Sequence, residues 1–254
     1  MHFSTFSIVG HDPSTGMLGV AVASKALAVG ALCPFARAGI GAVASQAYSN
    51  PYLGVDVLHL LGEGLDLEEA LERALEKDPG REWRQLAIVD QDGRSIGFTG
   101  KRTDPWSGHR AGSGYAAAGN LLVGSETVAA MAETFESASD EELPERLLRS
   151  LEAAQAAGGD RRGRQAAALL VVNKLELPYI DLRVDDHPDP VTDLRRIFEL
   201  GRESRFLSSK RVSASREPKT PAELEVYQRI LLEMLELQER SKEKFREAQA
   251  FISS

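Results

Sequence analysis

The 254-residue sequence predicts an α+β fold in which two β-sheets lie between two layers of helices. Segments with strand and helix character follow one another in the order strands, helix pair, strands, helix pair, strands, helix. Turn signals such as Asp92-Gly93 join neighbouring strands, which favours antiparallel sheets. Small residues dominate the first strands. This favours two closely packed sheets, or a ligand that approaches the backbone.

The predicted strands are runs of β-branched, aromatic and small residues bounded by turn residues. The first two, at 3–10 and 17–24, flank a turn rich in Gly, Pro and Ser, and Asp92-Gly93 joins the strands at 84–90 and 94–100. The polar, glycine-rich residues 101–114 are expected to form a loop. Further strands are expected at 34–38, 39–46, 115–119, 165–173 and 178–184.

The predicted helices carry apolar residues at spacings of three and four. Between residues 52 and 78 the pattern is interrupted by two glycines, Gly62 and Gly64, so two adjacent helices are expected there. Asp66 is the predicted N-cap of the second helix, because Glu69 follows three residues later. The other helices are expected at 125–138, 143–157 and 190–205.

The chain is expected to divide into three parts: a main domain at 1–206, a Ser/Lys/Arg-rich linker at 207–219 and a C-terminal helix at 220–254. Thr220, followed by Pro221 and by Glu223, is a strong helix start. A single helix of this length is not stable alone, so it must pack against something. A contact with a second subunit, giving a homodimer, is expected, and packing against its own domain is the alternative.

Composition excludes several classes of function. A net charge of −8 argues against nucleic acid and anionic membranes as partners. The first residues lack the basic and apolar regions of a secretory signal, and no apolar run is long enough to span a bilayer, so a cytoplasmic protein is expected. The single cysteine, Cys33, is expected to be buried filler. The histidines are scattered, so no metal and no cofactor is expected.

The first predicted strand carries a hydroxyl residue, Thr5, near its start. This suits an N-terminal nucleophile, whose hydroxyl attacks while its own backbone amine acts as base. An ordinary hairpin is the alternative, because threonine is common in strands. Four residues precede Thr5, so its nitrogen is an amide without basicity. Either the chain is cleaved, or a nearby basic group moves the proton, or the site is not hydrolytic.

Three blocks of sequence resemble DUF1028, a bacterial family of unknown function that is grouped with the N-terminal-nucleophile (Ntn) hydrolases. They are the strand-turn-strand opening, the segment Gly108–Asn120 and the segment Gly158–Gln165. The resemblance covers roughly residues 3–190. It implies a four-layer αββα sandwich, and it supplies no substrate or reaction.

The opening is also distantly similar to the β-type subunits of proteasomes. That similarity implies Thr5 as nucleophile, with Ser24 and Lys25 at the polar end of the second strand. Arg37 lies near the place of the lysine that activates the amine, although an arginine stays protonated and cannot share a proton as lysine does. The implied activity is hydrolysis of a small amide or peptide bond. The alternative is a non-catalytic ligand-binding or regulatory protein with an unprocessed N-terminus.

The candidate residues therefore fall into two groups, each with a structural alternative. The catalytic candidates are Thr5, Lys25 and Arg37, and a surface charge is the alternative for Lys25. For the substrate-binding candidates the alternatives are core hydrogen bonding, a solvated loop, a turn cap or a salt-bridge network that pins a loop. The substrate-binding candidates are Ser24, Ser45, His109, Asn120, Asp160 and Arg164.

Overall fold

The computed structural model describes residues 5–175 and 177–203, together with four single residues near the C-terminus. The chain divides into two compact units, 1–196 and 197–254. In the second unit the four single residues are helical and exposed, and the rest of the predicted linker and C-terminal helix lies outside the described residues. The helix at 220–254 and its dimer contact therefore stay predictions. The four residues are Glu225, Arg229, Leu232 and Glu236.

The described strands form two antiparallel sheets. One has six strands in the order β10-β9-β2-β1-β8-β7, and the other has four in the order β3-β4-β5-β6. Every strand pair within them is antiparallel. In chain order the strands are β1 (Thr5–Asp12), β2 (Met17–Ser24), β3 (Pro34–Arg37), β4 (Gly41–Ala47), β5 (Arg84–Asp90), β6 (Ser95–Thr99), β7 (Gly108–Gly112), β8 (Tyr115–Asn120), β9 (Ala166–Val172) and β10 (Ile180–Val184).

Helices cover the outer face of each sheet. In chain order they are α1 (Pro51–Gly62), α2 (Leu67–Glu76), α3 (Glu126–Ser137), α4 (Leu143–Ala156) and α5 (Pro190–Glu203). The apolar sides of α1 and α2 pack on the four-stranded sheet, and α3 and α4 pack on the six-stranded sheet. Asp66 caps α2 as predicted, because its carboxylate accepts the Glu69 N–H at 2.8 Å. Among the described helices none is long and apolar enough to cross a membrane.

The core between the two sheets is built from small and β-branched side chains, such as Val9, Val20, Ala44 and Ala87. Such side chains let the two sheets pack closely face to face. On the opposite face of β1, a Cβ atom on Gly10 would lie 2.9 Å from the ring of Phe135, so only glycine lets α3 approach this closely. The predicted four-layer αββα sandwich is therefore confirmed.

One predicted element was wrong. Within the expected loop at 101–114, residues 108–112 form strand β7. This strand lies at the edge of the six-stranded sheet and pairs with β8 alone. Three of its five residues are exposed, so it has no apolar alternation from which a strand could be predicted.

Candidate functional site

Polar side chains gather between the sheets at the end of the sandwich where β1 begins. The antiparallel register places Ser24, the last residue of β2, and Asn120, the last residue of β8, on either side of Thr5. In the facing sheet, Gln46 of β4 lies opposite Gln85 of β5. All five residues are buried. Buried polar groups require partners, so each of these side chains must belong to a hydrogen-bond network.

A small pocket opens beside Thr5. It holds about 230 Å³ of space, counting the part that is open to solvent. The lining is mainly apolar with some hydroxyl- and amide-bearing residues, and among the described residues it contains no carboxylate, ammonium, guanidinium or imidazole group. The lining residues are Thr5, Val29, Leu32, Cys33, Ser45, Gln46 and Ser49.

Two hydroxyl groups of β1 point into this layer. The Thr5 hydroxyl donates to Ser24 Oγ at 3.3 Å, and the Ser7 hydroxyl donates to Gln46 Oε1 at 2.6 Å. Cys33 Sγ lies 3.8 Å from the same Gln46 oxygen. Burial raises the pKa of the Cys33 thiol, so this group stays protonated and is not a thiolate nucleophile.

Gln85 joins the two sheets through both ends of its amide. Its Oε1 accepts hydrogen bonds from Gln46 Nε2 at 2.8 Å and from Asn120 Nδ2 at 3.0 Å. Its Nε2 lies 2.8 Å from the Gly119 carbonyl oxygen of β8. The side chain is fully buried. Gln85 therefore sets the orientation of two side-chain amides. One is that of Asn120, beside Thr5, and the other is that of Gln46, which accepts the hydrogen bond of the Ser7 hydroxyl.

Sequence reasoning missed Gln85. It stands in a strand whose other inward residues are apolar, and a lone glutamine there carries no motif. The available signal is weaker: a polar residue at a position that the alternation predicts to be buried must find a partner.

Strained backbone surrounds the same end of the sandwich. Among the described residues, the non-glycine residues with positive φ are Ala28 (52°), Ala47 (69°) and Leu121 (51°). Ala28 precedes the pocket residue Val29, Ala47 ends β4 and Leu121 follows β8. A left-handed conformation costs a residue with a Cβ atom about 1 kcal/mol, and such strain concentrates at functional sites.

A buried ion pair holds the loop that forms one side of the pocket. Arg84 donates to both oxygens of Asp78, at 2.8 and 3.0 Å, and Asn50 Nδ2 donates to Asp78 Oδ2 at 3.0 Å. Arg84 also donates to the Tyr48 carbonyl oxygen. Ser49, which lines the pocket, lies between Tyr48 and Asn50, the two loop residues that these hydrogen bonds hold. The guanidinium of Arg84 and the other donors lower the pKa of Asp78 to about 2.

Asp78→Asn is expected to lower the free energy of unfolding at pH 7 by about 2 kcal/mol, the value of a pKa depressed from 3.8 to about 2. Because the folded-state pKa is the lower one, this stabilisation is present above pH 4 and is lost as the pH falls to 2. Urea unfolding of the unsubstituted protein and of the Asp78→Asn variant, at pH 7 and at pH 2.5, measures this contribution to the free energy of unfolding. A difference that does not shrink at pH 2.5 would contradict the assignment, and Asp92→Asn, in an exposed turn, is the control.

The structure places Lys25 just outside the network around Thr5. Its side chain is exposed, and its ammonium donates to the Arg164 carbonyl oxygen at 3.2 Å. Its backbone N–H donates to Asp160 Oδ2 at 2.7 Å. Asp160 is buried and also pairs with Arg162 at 3.1 Å, while Arg164 pairs with Asp189. These contacts tie residues 160–164 to the end of β2 and to Asp189, and the roles assigned to Lys25, Asp160 and Arg164 stay predictions.

Two other candidates lie farther from Thr5. Arg37 is exposed at the end of β3 opposite to the pocket and lies against Gly62 of α1. His109, on edge strand β7, has its Nδ1 2.8 Å from Thr99 Oγ1, which in turn accepts from Gln85 Nε2 at 3.0 Å. Burial lowers the pKa of His109. Ser24 and Asn120 flank Thr5, and Ser45 lines the same pocket while its hydroxyl donates to the Asn50 carbonyl oxygen at 3.0 Å. The roles assigned to all five residues stay predictions.

Within the described part of the chain, no group of three or more His, Cys, Asp or Glu side chains is arranged to hold a metal ion.

Comparisons with known proteins match a family model and several solved structures. The model of the family of unknown function DUF1028 matches residues 5–194. The crystal structure of the DUF1028 protein SPO2555 from Silicibacter pomeroyi has a TM-score of 0.73 at 36% identity, over 78% of this chain and 86% of that chain. Anbu (ancestral beta-subunit) from Yersinia bercovieri has a TM-score of 0.37 at 14% identity, over 85% and 100% respectively. None of the curated proteins is significantly similar to this chain.

Proposed function

Since the chain belongs to DUF1028, a family of unknown function, we propose its activity from the site itself: hydrolysis of a small amide or peptide bond by the hydroxyl of Thr5, in a chain from which residues 1–4 have been removed. One observation carries this proposal. Thr5 is the first residue of a central strand, and it lines the pocket between the sheets. Removal of the preceding residues would therefore leave a free amine and a hydroxyl on the same residue at the edge of that pocket.

The reaction would follow from these two groups. The Thr5 Oγ attacks the carbonyl carbon of the substrate, and its proton passes to the free α-amine, whose ordinary pKa is about 8. Backbone N–H groups would donate to the oxyanion. The leaving amine takes the proton from the α-ammonium group as the C–N bond breaks. Water then hydrolyses the ester on Thr5, with the same amine as base.

The free amine is essential to this mechanism. The pocket lining holds no basic side chain among the described residues, and its one titratable side chain, Cys33, has a raised pKa. With an amide nitrogen at Thr5, the lining has no group to accept the proton of the hydroxyl. This lack of a base favours the second candidate function, the binding of a small ligand without catalysis, for a chain that keeps residues 1–4.

Two forms of the chain separate these candidates. One is the full chain, expressed without an N-terminal tag and examined by intact mass spectrometry. The other begins at Thr5, after proteolytic release from a fusion partner. Both are treated with a peptide β-lactone, an electrophile that acylates N-terminal threonine. We expect a mass that lacks residues 1–4, or else an adduct on Thr5 in the shortened form alone. A folded shortened form that gives no adduct would reject hydrolysis and leave the binding function.

A further inference from the structure

The pocket beside Thr5 has room for one small group of a substrate rather than for a whole ligand. Its volume of about 230 Å³ includes the part that is open to solvent. Sites that enclose a complete small molecule usually hold about 300–1,000 Å³. The apolar part of the lining consists of Leu32, which is 39% exposed, and of Val29 and Cys33, which are buried. A group that enters the pocket therefore meets apolar side chains.

The hydroxyl groups of the two serines in the lining are used inside the protein. The Ser45 hydroxyl donates to the Asn50 carbonyl oxygen at 3.0 Å. The Ser49 hydroxyl donates to the Ser45 carbonyl oxygen at 3.1 Å. Both protons thus hold the loop that follows β4, and neither is offered to a ligand.

The amide of Gln46 is also engaged within the core. Its Oε1 accepts hydrogen bonds from the Ser7 hydroxyl at 2.6 Å and from the Cys33 thiol at 3.8 Å. Its Nε2 donates to Gln85 Oε1 at 2.8 Å. A polar substrate group would have to displace one of these hydrogen bonds or remain unpaired, and an apolar group displaces none of them. The pocket therefore favours apolar groups, although three of its lining residues are serine and glutamine.

The wall of the pocket is held in place by the backbone. The Cys33 N–H donates to the Val29 carbonyl oxygen at 3.0 Å, and the Cys33 carbonyl oxygen accepts the Ser45 N–H at 2.9 Å. The turn that carries Val29 lies directly on β9, because a Cβ atom on Gly30 would lie 2.5 Å from Ala168 Cβ. A wall held at both sides is preformed, so it can select a substrate group by size.

We propose that this pocket selects a small aliphatic side chain on the acyl side of the bond that is cleaved, and that Val29 sets the size limit. The inference rests on the proposed function, which places the reacting carbonyl at Thr5. In that reaction the acyl group becomes bonded to Thr5 Oγ, so the side chain next to the carbonyl is held beside the pocket that Thr5 lines. The substrate class is therefore an N-acylated amide of alanine, 2-aminobutyrate or valine.

Binding is tested apart from hydrolysis in the Thr5→Ala variant, as the full chain and as the form that begins at position 5. The probes are the N-acetyl N-methylamides of valine, threonine and leucine, titrated by calorimetry. Valine and threonine have the same shape and differ by one hydroxyl group. We expect the valine probe to bind about tenfold more tightly than the threonine probe, because the hydroxyl finds no free partner in the pocket. The leucine probe should bind about tenfold more weakly than the valine probe, because it is too large.

Two substitutions of Val29, each added to Thr5→Ala, separate size from polarity. Val29→Ala enlarges the pocket and is expected to raise the affinity for the leucine probe, relative to the valine probe, about fivefold. Val29→Thr keeps the shape and adds a hydroxyl to the lining, so it should reduce the preference for valine over threonine about threefold. Val128→Ala is the matched control, since Val128 is also 4% exposed but lies in α3, on the outer face of the six-stranded sheet. It should leave both preferences unchanged.

Equal affinity for the valine and threonine probes, or no binding of any probe by either form, would overturn the aliphatic pocket. Preferences that the Val29 variants leave unchanged, or that Val128→Ala changes equally, would overturn the role of Val29. If the valine probe is preferred but the chain that begins at Thr5 is inactive, the pocket proposal stands and the hydrolysis proposal fails. If that chain hydrolyses amides while the probes bind equally, hydrolysis stands and the aliphatic pocket fails.

Discussion

Thr5→Ala, in the chain that begins at position 5, is expected to lower the rate of amide hydrolysis by about a thousandfold or more, because the substitution removes the attacking oxygen. Thr5→Ser keeps both the hydroxyl and the α-amine, so it should retain the activity within about tenfold. Initial rates of release of p-nitroaniline from N-acylated alanine p-nitroanilide measure both effects. The alanine side chain of this substrate is small and uncharged, which matches a pocket lining without charged groups among the described residues.

Ser7→Ala is the matched control for the loss of a hydroxyl. Ser7 lies two residues along the same face of β1 and is equally buried, but its hydroxyl donates to Gln46 rather than lining the pocket. The Ser7→Ala substitution should lower the free energy of unfolding, and hydrolysis of the anilide by this variant should still be measurable. Retention of the full rate by Thr5→Ala, with circular dichroism showing both variants folded, would reject Thr5 as the nucleophile.

Gln85→Leu is expected to lower the free energy of unfolding by about 4 kcal/mol, the largest effect on stability that we expect from a change in the site. Leucine is close to glutamine in volume, so the loss comes from polar groups left without partners rather than from a cavity. Those groups are the side-chain amides of Gln46 and Asn120 and the Gly119 carbonyl oxygen. Each unpaired buried group costs about 1 to 3 kcal/mol. Urea unfolding of the unsubstituted protein and of the Gln85→Leu variant measures the total loss in the free energy of unfolding.

Gln91→Leu is the control for this prediction, because Gln91 is exposed in the turn between β5 and β6. It should change the free energy of unfolding by less than about 0.5 kcal/mol. A loss of under about 1 kcal/mol for Gln85→Leu would show that the network between the sheets contributes little.

Most elements of the fold were predictable because their signals are local. The Asp92-Gly93 turn joins β5 and β6, with Gly93 in the left-handed region at φ 77°. Asp66 caps α2, and Asn50, directly before Pro51, caps α1. Strand β7 was not predictable, because an exposed edge strand is defined by its pairing with β8 and not by its own composition.

The candidate site was predictable only in part. Thr5 stands at the start of β1, its neighbour Ser24 ends a segment that was expected to be a strand, and Asn120 directly follows another such segment. Their meeting follows from the register of three antiparallel strands. The position of Arg37, at the far end of β3 from the pocket, could not be predicted from spacing along the chain. Distance in sequence does not determine which end of a strand faces a site.

The sequence by itself determined the layered architecture and the position of a hydroxyl at the start of β1, since the periodicity of side chains and the chemistry of turns act over a few residues. Only the tertiary structure decided what surrounds that hydroxyl. Gln85 holds Asn120 beside Thr5, and the residues of the pocket wall come to Thr5 from positions separated along the chain. Their meeting depends on strand register and on how the two sheets stack, and both are set by burial summed over the whole core.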